Sequence, residues 1–378
     1  MIVIVGAGYA GAATAAALGR RGLGSRVTLI EAETTPGRYA SGLNAGLVSP
    51  LFEKDEAMAA FAASSIARLK AAGLVRACGS IRLADDAAAA EFLARAERHN
   101  LPVQEIGRAE AAAGHPFLKG ARAPRALFSP DEGTLNPREL LAWHLEQATM
   151  YGARLMAGVR TERLEIRSGH VTGLQTSAGL LPATVVVNAA GAWASPVAEE
   201  LGGVRAGGPL TGLGLVSYRR HIYVAPAGAG IAASLPWVWD LDGNIYVRMD
   251  GDTMLLCWCD ETVHPPGEPD ADPDAAIEMR RRFAAALPAV ASAIVDGVRV
   301  CLRTFAPDRR YVIGSDPRLP GFFWIAGLGG TGATASVAVG ELAAELLSGE
   351  APGPRSMSAT LFDPARLIPD NGGNGVGS

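Results

Sequence analysis

The chain has 378 residues, 49% hydrophobic and 19% charged, with 34 Lys and Arg against 38 Asp and Glu for a formal net charge of −4. That size suits two domains or one doubly wound unit with an insertion, and the composition excludes disordered, fibrous and, lacking any basic stripe, nucleic-acid-binding classes. Four cysteines (Cys78, Cys257, Cys259, Cys301) without CxxC spacing exclude a disulfide scaffold and a zinc site, predict no metal, and fit a reducing, cytoplasmic compartment.

Met1–Val5 is apolar and partly β-branched, as a buried strand requires. Gly6-Ala7-Gly8-Tyr9-Ala10-Gly11 follows at once. An Ala-rich helix over Ala12–Arg21 comes next, then a strand over Arg26–Ile30 ending at Glu31, twenty residues after Gly11, with Ala32 behind it. GxGxxG alone is a weak signal. A strand before it, a helix after it and an acid at the end of the second strand make it a dinucleotide-binding unit. Gly6 permits the tight turn, Gly8 lets the backbone approach a pyrophosphate, and Gly11 lets helix and strand pack closely. The helix N-terminus offers N–H groups and partial positive charge to the phosphates. Glu31 can accept from ribose hydroxyls and would repel a 2′-phosphate, which disfavours NADP. The first nineteen residues are uncharged, but glycines interrupt them, and Arg20 and Arg21 follow the apolar stretch rather than preceding it, the reverse of a signal peptide. No later run reaches the ~18 apolar residues of a membrane span, so at most peripheral membrane contact is expected.

Helices are predicted over Glu56–Ala72 and Ala87–His99. Pro130–Pro137 reads as a loop, and Asn136-Pro137 as the cap and first turn of a helix over Arg138–Tyr151. Ala153–Val159 and Thr161–Gln175 read as strands and a hairpin, Leu181–Val187 as a further strand. The stretch Leu210–Glu261 is strand-rich, at Val216–Val224, Pro236–Asp240, Asn244–Met249 and Thr253–Cys259. A helix over Ala275–Leu287, a buried strand over Phe322–Ala326 and a closing helix over Ala333–Leu347 complete the pattern. Asn371–Ser378 is Gly- and Asn-rich and reads as disordered.

Four blocks in order carry a resemblance across nearly the whole chain: VIVGAGYAGAATAAAL with Glu31; Gly37–Gly46 with Ser41 and Asn44; VVVNAAGAW ending in Trp193; and Leu302-Arg303-Thr304-Phe305-Ala306-Pro307-Asp308 followed by Phe322–Gly332. Together they resemble the D-amino-acid oxidase/dehydrogenase (DAO) family, with its D-arginine-type dehydrogenases and glycine and sarcosine oxidases. The resemblance implies an α/β fold: a Rossmann-like FAD-binding domain (GR2/DAO type) interleaved with an α+β substrate domain on a large mixed β-sheet. The expected FAD domain comprises residues 1–78, 138–208 and 298–364. The substrate domain comprises 79–137 and 209–297, and 365–378 is a flexible tail. FAD contacts would come from Gly6, Gly8, Tyr9, Ala10, Gly11, Glu31, Ala32, Ser41, Asn44, Ala45, Gly46, Leu47, Ala190, Gly191, Trp193, Gly327, Gly329, Gly330, Thr331, Gly332 and Thr334.

By the same resemblance, Arg303 and Tyr246 bind a substrate carboxylate, the guanidinium through its planar fork. Both interrupt otherwise apolar strands. Arg219 or Arg220 is a second candidate; on one strand only one of the two can face the pocket. Cys301, in the context C-x-x-T-x-x-P-D, matches the flavin-linked cysteine of monomeric sarcosine oxidases. Non-covalent FAD is favoured, with an 8α-cysteinyl link at Cys301 as the alternative. Cys257 and Cys259 alternate on one strand and read as core. The acid that receives a guanidinium in D-arginine dehydrogenases is missing near Gly79 and Ser80, which favours a neutral, apolar D-amino acid. No lysine follows Lys119, which tilts the balance from oxidase to dehydrogenase, with a quinone or O2 as electron acceptor. The alternatives are a glycine/sarcosine or cyclic-imino-acid oxidase making H2O2, a 2-hydroxy-acid dehydrogenase, and a non-catalytic nucleotide-binding redox sensor.

Overall fold

The strand Ile2–Val5 is buried at every position, and a computed structural model describing residues 1–201, 210, 213–349 and 356–368 shows what covers it. It lies inside a six-stranded sheet in the order Val312–Ser315, Phe322–Ala326, Val185–Asn188, Ile2–Val5, Val27–Glu31, Arg154–Ala157. All neighbours are parallel except the hairpin of the first two. Inner strands of such a sheet are covered on both faces, which explains their unbroken apolar runs.

The first helix spans Tyr9–Arg20 and begins at Gly8, so Tyr9 and Ala10 belong to it rather than to a loop before Ala12. It packs against the helix Gly332–Ser348. Contact is backbone-close there: a Cβ on Gly340 would sit 2.5 Å from the Ala13 carbonyl oxygen. Beside it Glu341 accepts from Arg20 at 2.6 Å and Arg21 at 2.8 Å and pairs with Arg68 at 3.0 Å, joining three helices through one carboxylate.

The second sheet is mixed and nine-stranded. Its core order is Val216–Pro226, Thr253–Cys257, Ile245–Asp250, Trp237–Asp240, Ser80–Ala84, Arg125–Ser129. Gly297–Phe305 pairs with Val216–Pro226 along nine residues, so this strand, which the sequence reading assigned to the FAD part from residue 298, is hydrogen-bonded into the large sheet. It carries Cys301 and Arg303 to the border between the sheets.

Several expectations are corrected. Leu181–Val187 is two strands: Gly179–Pro182 joins Thr161–Arg167 and His170–Thr176 in a small sheet, and Val185–Asn188 joins the six-stranded one. Pro182 has no N–H to extend its ladder, and the chain changes sheets after it. The strand from Thr253 stops at Cys257, because Cys259 adopts the left-handed region at φ 56°; the two cysteines do not share a strand face. The loop Pro130–Pro137 contains the two-residue strand Gly133–Thr134, paired with Leu47–Val48. Ser80–Ala84 and Arg125–Ser129 carried no sequence expectation. Arg82 interrupts the first, yet its side chain is buried and pairs with Glu132 at 2.5 Å. The flexible tail expected over 365–378 is corrected at its start, where Pro364–Leu367 forms a 3-10 turn and Arg366 pairs with Asp308 at 2.8 Å; residues 202–209, 211–212, 350–355 and 369–378, with the disorder expected from 371, lie outside the described residues.

Candidate active site

Between the two sheets runs one cavity of about 1060 Å³, from the first glycine turn to the border strand Gly297–Phe305. The turn fits a bound dinucleotide because nothing larger than hydrogen is tolerated in its floor. A Cβ on Gly6 would lie 2.6 Å from the Ala189 carbonyl oxygen, and one on Gly8 would lie 2.9 Å from Ser41 Oγ. Gly11 does not line the cavity; its Cβ would lie 2.0 Å from the Gly6 carbonyl oxygen, so it serves close packing. The helix above has no acidic residue in its first turn to compete with a phosphate. Ser41 Oγ accepts the Tyr9 N–H at 3.1 Å, tying the Gly37–Gly46 loop to that helix. Glu31 accepts the N–H groups of Ala7 and Glu33, each at 3.0 Å, which fixes its carboxylate at the wall with lone pairs to spare for ribose hydroxyls. These features fit FAD.

Every other residue expected to touch the cofactor lines this cavity, from Gly6 and Glu31 through Asn44 and Trp193 to Thr334. At the far end Glu53, which the sequence reading missed, accepts the Thr331 hydroxyl at 2.5 Å just before the helix Gly332–Ser348. Burial raises its carboxyl above the usual range.

The border strand opens the cavity toward chemistry. Arg303, Tyr246 and Arg220 all line it. Arg219 does not: it turns to the other face and pairs with Asp272 at 2.5 Å, which removes it as a substrate contact. Arg220 is held from behind. Its Nε donates to the Asp260 carbonyl at 2.8 Å, and Nη1 lies 3.8 Å from Cys257 Sγ. Asp260 is itself gripped by His221, through Nδ1 at 2.7 Å and through the main-chain N–H at 3.0 Å. The Asp272 N–H points at His221 Nε2 at 2.9 Å, so Nε2 is the acceptor and Nδ1 carries the proton. Burial works to raise the Cys257 thiol, but hydrogen bonds from Cys259 and Tyr246 and the charge of Arg220 prevail and bring it below the usual thiol range. Burial also pushes the Tyr246 hydroxyl well above its usual range, so it remains a donor.

Arg303 has a different set of neighbours. Nη2 donates to Glu261 Oε1 at 2.8 Å, while Nε is buried with no partner among the described residues. Glu261 also accepts from Arg309 at 2.7 Å and lies 3.7 Å from Arg220. Arg309 stacks on Phe305 at 4.2 Å from an uncommon positive φ of 59°. Neither Glu261 nor Arg309 was found from sequence; nothing in an Asp-Glu pair past a strand end, or in an arginine between Asp308 and Arg310, distinguishes it from an ordinary surface charge. The opposite wall is aromatic: Trp239 contacts Tyr246 at 5.3 Å and Phe52 at 5.5 Å between ring centroids. At the position expected to hold a guanidinium-binding acid, Ser80 is buried and donates to Glu132 at 2.5 Å. Cys301 lines the cavity, but burial pushes its thiol up to about 12, away from the nucleophilic thiolate. No group of His, Cys, Asp and Glu among the described residues could hold a metal ion. No helix among the described residues is long and apolar enough to cross a membrane.

The family profile described as "DAO: FAD dependent oxidoreductase" matches residues 1–346. Glycine oxidase of Pseudomonas aeruginosa is 30% identical over 387 residues, covering 97% of this chain and 98% of that protein. Mitochondrial sarcosine dehydrogenase of Homo sapiens is 24% identical over 251 residues, covering 60% of this chain. The chain spans about a quarter of the length of that relative, 25%. Among solved structures, L-proline dehydrogenase from P. horikoshii superposes with a TM-score of 0.82 at 22% identity, covering 97% of this chain and 96% of that one.

Proposed function

The chain belongs to the DAO family of FAD-dependent oxidoreductases, and on that premise we propose that it oxidises the CH–NH bond of an amino acid with one carboxylate and a small apolar side chain, in the D configuration, passing the electrons to an acceptor such as a quinone. The observation that carries this reading is the buried, unpartnered Nε of Arg303 in the wall of the cavity. A buried donor without an acceptor is rare and costly, and a carboxylate supplies the missing partner.

Bound FAD supplies the two-electron acceptor, held by the glycine turn, Glu31 and the start of the helix Gly332–Ser348. The Arg303 fork holds the substrate carboxylate, and the Tyr246 hydroxyl turns its single proton from Cys257 to the same group. Anchored there, the amino acid presents its Cα–H inward while Trp239 and Phe52 cover its side chain and exclude water. The substrate reacts with its amine neutral, so no strong side-chain base is required. Two electrons and two protons leave, giving an imino acid that water hydrolyses to a keto acid and ammonia. Support for a dehydrogenase is that none of the three lysines, Lys54, Lys70 and Lys119, is buried. Lys54, the one at the cavity, is at the rim and faces Glu91 at 3.7 Å.

A second reading, oxidation of glycine or an N-substituted glycine, is favoured by the 30% identity to a glycine oxidase across nearly the whole of both chains. The test is the anaerobic visible spectrum of the holoenzyme titrated with D- and L-amino acids, glycine, sarcosine and proline. Bleaching by neutral D-amino acids alone supports the first reading. Bleaching by glycine and sarcosine alone selects the second. A flavin that no amine reduces overturns both.

A further inference from the structure

Three guanidinium groups meet one carboxylate at the open end of the cavity. Glu261 takes Arg303 Nη2 at 2.8 Å on Oε1 and Arg309 Nη2 at 2.7 Å on Oε2, with Arg220 Nη2 at 3.7 Å. Arg220 is compensated from its inner side, where Asp260 Oδ1 lies 3.7 Å from its Nε and Cys257 Sγ lies 3.8 Å from Nη1. The other acids and bases at this end are accounted for: Asp308 pairs with Arg366 at 2.8 Å, Asp55 pairs with Arg310 at 2.8 Å, and Glu53 is bonded to the Thr331 hydroxyl at 2.5 Å, its carboxyl raised toward the neutral form by burial. What remains is Arg303 and Arg309 against Glu261, two positive charges and one negative. The residual charge is that of a single cation. It sits beside the unpartnered Nε of Arg303, on a side chain that is 18% exposed.

We propose that Glu261 sets the charge of the anion site: it cancels one of the two arginines, so that the site accepts one carboxylate and rejects a second. This rests on the reading that Arg303 receives a substrate carboxylate. A second carboxylate on the substrate would meet Glu261 itself, which already holds the forks it would need. Like charges brought together in a partly desolvated site repel strongly, and the second group would have no unfilled donor to offset its lost hydration. Glu261 is thereby a specificity determinant that works by repulsion as well as by occupancy. Arg309 is a prepared partner for it. The left-handed backbone at Arg309 and its stacking on Phe305 hold the guanidinium in place, so removing the Glu261 charge exposes a fork already oriented toward the cavity.

The experiment is isothermal titration of the FAD-loaded enzyme with acetate and with malonate, for wild type and Glu261→Gln. Wild type should bind acetate at least tenfold more tightly than malonate. Glu261→Gln, which keeps the size of the side chain and removes its charge, should move the malonate-to-acetate affinity ratio at least tenfold toward malonate. The kcat/KM ratio of D-aspartate to D-alanine should move the same way. A change of less than threefold in both ratios, with wild-type FAD content, overturns the assignment to Glu261 and leaves the carboxylate reading standing. If wild type binds neither acetate nor any amino acid, both fall. Should Glu261→Gln fail to fold, Arg309→Met tests the same arrangement from the other side. It removes the residual charge from a side chain that is 50% exposed and should weaken acetate at least tenfold; unchanged acetate affinity would overturn the proposal.

Discussion

Replacing Arg303 with leucine separates the carboxylate reading from its competitors. Leucine keeps the first carbons of the apolar stem and removes the fork, together with the guanidinium's place over the Phe305 ring at 5.6 Å. Glu261 keeps Arg309 at 2.7 Å and Arg220 at 3.7 Å, so no buried carboxylate is stranded and the fold should tolerate the change. The loss then falls on the substrate. Each hydrogen bond between charged groups is worth about 1.5–3 kcal/mol. Two bonds of one fork, partly replaced by water, amount to about 3–4 kcal/mol, or ~150- to ~1000-fold in kcat/KM. Arg303→Lys keeps the charge without the fork and should recover roughly tenfold of that. The assay is anaerobic stopped-flow reduction of the flavin over a range of substrate concentrations. It yields substrate Kd and the limiting reduction rate separately, with FAD content measured on the same sample. The main loss should be in Kd, with a smaller drop in rate from misorientation. A Kd within threefold of wild type at normal FAD content would refute the reasoning and transfer the carboxylate to Arg220.

Gly11→Ala should abolish FAD retention and lower thermal stability, because its Cβ would lie 2.0 Å from a backbone oxygen that cannot swing aside; absorbance at the flavin bands of the purified variant and its melting temperature check this. Denatured wild-type protein should release all its FAD and show Cys301 unmodified by intact and peptide mass spectrometry, since burial holds that thiol near 12 and starves the linkage of thiolate. Glu341 is depressed to about 2: burial works to raise it, but its bonds to Arg20 and Arg21 prevail. A depressed carboxyl gives stability that is whole above its unfolded pKa of about 4.3 and fades as pH falls toward the folded value. Urea midpoints measured between pH 7 and 3 should therefore drop more steeply in wild type than in Glu341→Gln, which should be destabilised by ~2 kcal/mol at pH 7 and show the flatter profile.

What the sequence made legible was local. The glycine turn is read from contiguous residues because strand, turn, helix and terminal acid each follow from their own composition, and the cavity runs along all four. Strand alternation narrowed Arg219 and Arg220 to one inward side chain, but the choice needed Asp272 and Asp260, which lie some fifty and forty residues away. Arg82 hid the strand Ser80–Ala84, since its partner Glu132 comes from another element. Glu261 was invisible for the same reason. Its role is set by arginines from two other segments, and nothing in the residues around it distinguishes it from a solvated loop acid. Leu181–Val187 misled in the opposite sense: one apolar run served two sheets.

The backbone-close seam between Ala13 and Gly340 has a temporal consequence. Ile2–Val5 finds one lateral neighbour only when Val185–Asn188 exists, and the first helix finds its covering helix only when Gly332–Ser348 exists. During synthesis at about 5–20 residues per second, the N-terminal glycine turn would therefore wait on the order of tens of seconds with its apolar surface uncovered. Ribosome-bound chains halted near residue 320 should bind no FAD and should attract holdase chaperones. Release of only a few dozen more residues should convert them to holoenzyme in a single cooperative step, with the cofactor as the last piece of the core.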